Sequence, residues 1–301
     1  MRYRLISLVA AAALMLLPML AHRSFGQDQN PGGQGQNAGR GGRGGRGGRG
    51  PAAPAKPTPR NPDGTVNWGP EIGQTGLWNV AGGTFADPDR APGTSPPPNS
   101  FPGRPTLSEV PFQPWARAVY DYRQENQLEP YTRCKPSGGF RQVATAYGTQ
   151  FVYFPELKQF FVFQTGGSHS YRTIYMDGRS HPKNPAPSYY GDNIGHFEGD
   201  TLVVDTVGYN ERMWVSNLEG MPHTDKLHTI ERFTRTDSNT IKYEMTIDDP
   251  GAYTRTWTTG WYINWSPGVE SFEFVCQDGN QSFELMVGSL EHVDRSSPFV
   301  P

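Results

Sequence analysis

The stretch Ile194–Thr206, IGHFEGDTLVVDT, limits the fold more than any other part of the chain. Two short alternating runs flank Gly199-Asp200. A Gly-Asp pair between strand formers signals a two-residue β-hairpin, with glycine where the turn needs φ > 0. With that pair as the loop, Glu198 opposes Thr201, Phe197 opposes Leu202, His196 opposes Val203 and Ile194 opposes Asp205. Side chains alternate across a strand, so Phe197, Leu202 and Val204 share one face. His196, Glu198, Thr201 and Asp205 share the other, with Ile194 and Val203 among them. The first face suits a packed core. The second meets either water or a polar cavity.

The rest of the chain follows the same period. Runs at Gln150–Phe154, Gln159–Gln164, Tyr171–Met176, Leu227–Arg235, Thr240–Asp248, Tyr253–Thr259, Trp261–Trp265 and Ser271–Cys276 are separated by turn signals such as Asp177-Gly178, DDPG and Asp278-Gly279. The pattern predicts a mainly β fold, an antiparallel meander. Closing such a sheet into a barrel, or curling it strongly, removes its exposed edges, in a lipocalin-like manner by analogy. Gln281–Leu290 fits either a strand or a short helix. The one helical pattern is Pro114–Asn126, where Trp115, Ala118, Val119 and Tyr122 recur at helical spacing behind an N-terminal proline, and read as its buried stripe. Residues 86–106, rich in Pro, Gly, Ser and Asp, read as a long surface loop.

Three segments precede or compose the domain. Residues 1–26 carry Arg2 and Arg4, an apolar run from Leu5 to Leu20, and Ser24 and Gly26 before the expected cut, which is a secretory signal peptide. Residues 27–57 are a Gly/Arg- and Pro-rich linker with too few apolar side chains to offset ordering entropy, so it is expected to be disordered. Its Arg40, Arg43, Arg46 and Arg49 recur every three residues and suit an anionic envelope or extracellular polymer, or serve a soluble spacer. Residues 58–301 form the β-rich domain. Residues 1–60 hold nine Lys/Arg and one acid, leaving the remainder at a formal charge of −10, a poor match for nucleic acid or an anionic membrane. The expected location is periplasmic or secreted. There Cys134 and Cys276, the chain's two cysteines, invite a disulfide worth roughly 4–5 kcal/mol by loop-closure entropy.

Four pieces together resemble a group of exported bacterial proteins without an assigned activity. They are CKPSGGF, RTIYMDGRSHP, IGHFEGDTLVVDTVGYN, and HTDKLHTIERFTR leading to YEMTIDDPGAYTRTW. The resemblance spans roughly residues 60–280 and implies domain boundaries and export, but no chemistry.

Several residues are candidates for a site. On the polar hairpin face His196 has Glu198 beside it and Asp205 diagonally across the ladder, so a carboxylate can orient the imidazole as an acid/base. Glu198 and Asp205 are too far apart along the ladder for a carboxylate dyad. Asp177, Arg179 and His181 in DGRSHP form a turn, and Arg179 and His181 either end there or point across a cavity mouth toward a ligand carboxylate or phosphate. His223, His228 and Arg232 lie at or in the run HTIERFTR. No HExxH, HxH or CxxC spacing marks a metal site, and no cofactor is expected. Gly166-Gly167-Ser168-His169 lacks the GxSxG pattern of a nucleophile elbow. Tyr253, Trp257, Trp261 and Trp265 form either core or a platform for sugar or lipid. Three readings follow: a barrel binding a small amphipathic ligand, an enzyme using His196 with Asp205 or Glu198, and an envelope-associated protein tethered by its basic linker.

Overall fold

The computed structural model describes residues 56–276 apart from 72, 81–82, 92–93, 95–100, 128, 146, 167–170 and 217–218. The chain divides into two units, Met1–Ala52 and Ala53–Pro301, and every described residue belongs to the second. The signal peptide, the Arg40–Arg49 repeat, the Gly167–His169 motif and Gln281–Leu290 lie outside the described residues.

Nine strands close into a barrel in sequence order: β1 Gly76–Val80, β2 Thr149–Phe154, β3 Gln159–Gln164, β4 Tyr171–Tyr175, β5 Asp192–Glu198, β6 Thr201–Val207, β7 His228–Arg235, β8 Thr240–Asp248 and β9 Trp257–Pro267. All neighbours are antiparallel except β4 and β5, which run parallel. A parallel pair cannot be joined by a tight turn, so residues 176–191 form a crossover between them. The hairpin register is the expected one, with Gly199 at φ 58°.

Besides the parallel β4–β5 pair, four details depart from the sequence pattern. The sequence runs mark no strand at Gly76–Val80, yet β1 closes the barrel onto β9. β9 is one continuous strand where two were expected, and Ser271–Cys276 is not a strand. The unbroken β9 follows from Gly260, where the sequence pattern separates two runs. Phe101 packs so close that a Cβ on Gly260 would lie 2.4 Å from its ring. Arg104 donates to the Gly260 carbonyl from Nε at 3.0 Å and from Nη2 at 2.6 Å. Glycine in a strand here marks close approach, not a turn. The helix α1, Pro114–Asn126, forms as expected but buries a different stripe, Ala116, Tyr120 and Arg123, and leaves Trp115 and Tyr122 exposed. Trp115 is held outside by its indole N–H, which donates to the Gly251 carbonyl.

The barrel interior is filled. Phe151, Phe233, Tyr243 and Trp261 make successive ring contacts at centroid distances of 5.5, 4.8 and 4.6 Å. Leu202 and Val204 from the hairpin join this core, fully buried. Among the rings lies one ion pair, Arg172 of β4 with Glu231 of β7, both fully buried. Arg172 also donates to Asn193 Oδ1 at 2.6 Å and to Thr206 Oγ1 at 3.0 Å, and the Tyr243 hydroxyl donates to Glu231 at 2.9 Å. Burial opposes the charge on Arg172, but the Glu231 carboxylate outweighs it and raises the guanidinium pKa. The Cys134–Cys276 disulfide is formed, with Cα atoms 5.5 Å apart, and fastens the chain after β9 to the segment behind α1.

Arg172→Met leaves Glu231 charged and unpaired in the core, and is expected to cost about 3–5 kcal/mol in urea unfolding. Adding Glu231→Leu to that variant should restore most of the loss, since both charges are then gone.

Candidate functional site

The outer surface of β5, β6 and β7 carries most of the candidate residues, because the inner face of each strand is spent on the core. His196 and Glu198 point outward, with side chains 61% and 48% exposed. The His196 imidazole pairs with Glu198 at 3.1 Å, not with Asp205. Glu198 also accepts from Arg232 Nη2 at 2.7 Å. Arg232 first and His196 second lower the Glu198 pKa. The polar hairpin face therefore does not line the barrel interior, which Phe151, Phe233 and their neighbours already occupy.

Asp205 is engaged elsewhere. Its Oδ1 accepts from His228 Nε2 at 2.8 Å and from His181 Nε2 at 3.1 Å. His181 Nδ1 contacts Asp192 Oδ1 at 2.6 Å. The four side chains are partly exposed, His181 the least at 19%. Carboxylates only accept hydrogen bonds, so His181 satisfies both when it is protonated on both nitrogens. His181 belongs to the crossover, and this bridge ties the crossover onto the outside of β5 and β6. The sequence offered no sign that Asp192 and His228 complete the group, because crossover geometry sets it.

The remaining candidates fall apart from this group. Asp177 and Arg179 pair with each other at 2.6 Å, and the guanidinium lies 3.8 Å from the Tyr175 ring centroid. That hydrogen bond lowers the Asp177 pKa to about 2. The Arg179 fork is thereby used within its own turn. His223 is fully buried behind α1; its Nδ1 donates to the Thr224 carbonyl at 3.0 Å, and burial lowers its pKa. Among the described residues no set of three or more His, Cys, Asp and Glu side chains is arranged to hold a metal ion. No described helix is long and apolar enough to cross a membrane.

A groove opens at one seam of the barrel. β1 and β2 share only the Trp78–Thr149 pair, whereas β1 and β9 pair along the whole of β1. Where β1 and β2 part lies a cavity of about 680 Å³, lined by Trp68, Trp78, Phe151, Tyr153 and Trp265, with Asn61, Asp63, Asn67 and Gln150 among its polar groups. A second cavity of about 360 Å³ adjoins it, sharing Asp63, Val66, Trp68 and Tyr153. Trp78 donates its indole N–H to the Trp68 carbonyl at 2.9 Å and stacks edge-on to Trp265 at 5.1 Å. Trp265 can lie against the β1 backbone because residue 76 is glycine: a Cβ there would come within 2.2 Å of its ring. Of the four aromatics expected as core or platform, Tyr253, Trp257 and Trp261 are core and Trp265 lines the groove. No turn or periodicity signal marks the other groove residues, because they come from distant segments of the chain.

Glu219, near α1, is a carboxyl that burial shifts strongly. Its pKa rises to about 7, opposed by hydrogen bonds from the Phe85 backbone N–H and Ser216. A carboxyl with a raised folded-state pKa stabilises the fold below its unfolded value, and that stability is lost as pH rises toward 7. Glu219→Gln should flatten the pH dependence of thermal unfolding between pH 4.5 and 7 and gain roughly 1–3 kcal/mol at pH 8.

Comparisons with protein-family models, curated proteins and solved structures return no match.

Proposed function

We propose that the protein is an exported binding module that holds a small amphipathic ligand in the groove between β1 and β2. The supporting observation is the groove itself: an open, mainly aromatic cavity with a few amide and carboxylate groups, of a size typical for small-molecule sites. Trp265 and Tyr153 offer ring surface to the apolar part of the ligand, and Asn61, Asn67 and Gln150 offer hydrogen bonds to its polar part. The linker arginines Arg40, Arg43, Arg46 and Arg49 would hold such a module near an anionic envelope polymer.

The test is native mass spectrometry of the protein purified from its secretion host, followed by tryptophan fluorescence titration with whatever mass is retained. Trp265→Ala should lose the retained mass and weaken binding at least about tenfold, since a stacked aromatic anchor commonly carries over 1.4 kcal/mol. Equal retention in the wild type and in Trp265→Ala would place the ligand elsewhere.

The enzyme reading moves from His196 to the His181–Asp205–His228 group, because Asp205 orients two imidazoles there. Asp205→Asn separates the two readings. It leaves the groove intact, so retained ligand should persist, whereas an activity resting on those imidazoles would fall.

A further inference from the structure

Behind α1 lies a buried cation with too few partners. Arg123 is 2% exposed. Its Nη1 donates to the Gly220 carbonyl at 3.0 Å, while its Nε and Nη2 have no partner. The guanidinium lies 4.8 Å from the ring centroid of Trp214, a buried residue whose indole N–H is also unpartnered. Among the described residues no carboxylate pairs with Arg123. Asp249, a nearby buried acid, accepts from the Thr224 N–H, the Thr224 hydroxyl and the Gly251 N–H, and the Glu219 carboxyl, beside Gly220, is held by the Phe85 N–H and Ser216. His223 shares the region but burial disfavours its charged form.

This arrangement is costly as it stands. A buried guanidinium needs hydrogen bonds and an opposite charge, and unpartnered buried donors call for an acceptor. Burial lowers the Arg123 pKa to about 10, which still leaves it charged at neutral pH. Its place in the last turn of α1 favours a cation only weakly. The unused donors belong to one guanidinium and one indole in contact, both N–H only, so the complement is a small acceptor carrying negative charge.

The geometry points to an internal anion site at Arg123 and Trp214, where the unpartnered N–H groups of the guanidinium and the indole would take a small anion, a halide or a one- or two-carbon carboxylate. It is separate from the groove between β1 and β2. The anion would compensate the Arg123 charge and act as a structural ligand joining α1 to Trp214.

The test is thermal unfolding of the full chain in sodium chloride and in sodium gluconate at matched ionic strength, gluconate being too large to be enclosed. Sodium formate and sodium acetate arms distinguish a halide from a small carboxylate. Binding to the folded state alone raises the melting temperature with ligand concentration. The expected result is a rise in chloride or in a small carboxylate beyond that in gluconate, lost in Arg123→Met. Trp214→Phe keeps the ring and removes one donor, and should move the half-point to at least about tenfold higher anion concentration. Line broadening of ³⁵Cl or ¹³C-formate resonances by the protein, reduced in Trp214→Phe, decides the matter if Arg123→Met does not fold. Identical melting in all four salts overturns the proposal. So does an anion-specific rise that survives Arg123→Met, or line broadening unchanged in Trp214→Phe.

Discussion

The Arg172–Glu231 ion pair holds together a barrel whose backbone ladder is incomplete. β4 and β5 meet at a single residue pair, Tyr175 with Ile194, so few backbone hydrogen bonds cross that seam. Arg172 spans it with side-chain bonds instead, reaching Asn193 on β5, Thr206 on β6 and Glu231 on β7. A buried ion pair gains little over well-packed apolar residues, but one with all its hydrogen bonds met discriminates strongly among alternative packings. Here it selects the register in which β4 lies parallel to β5.

Much of the fold was legible because it is local. The hairpin register came from the Gly199-Asp200 turn and from strict alternation, and β7 and β8 from alternation alone. The departures arise where tertiary contact overrides a local sign. Gly260 resembles a break until Phe101 and Arg104 are seen to need its bare Cα. The α1 stripe was misplaced by two large aromatics. Trp115 and Tyr122 look like core, yet the buried face carries Arg123, a residue whose burial no periodicity argument would propose.

The candidate site was less legible, for the same reason in a stronger form. Alternation put His196, Glu198 and Asp205 on one face, and they do share it. It could not say that this face is the outside of the barrel, nor that a crossover residue, His181, would claim Asp205 before His196 could. Grooves are harder still. Trp68, Tyr153 and Trp265 come from three separate parts of the chain, and only the parting of β1 from β2 brings them around one space.

That β1 is paired along its length with β9 and barely with β2 has a bearing on how the molecule is made. A chain released N-terminus first carries β1 without its main partner until Trp257–Pro267 has emerged. Long-range pairing of this kind slows folding, because the loop must close before any contact rewards it. The middle strands can zip as local hairpins meanwhile, leaving an open sheet with two bare edges. Cys134 and Cys276 meet only after that sheet has closed, since Cys276 lies beyond β9. The disulfide thus acts as a latch that records completed closure, and the interval before it forms is when the edges are most open to mispairing with another chain.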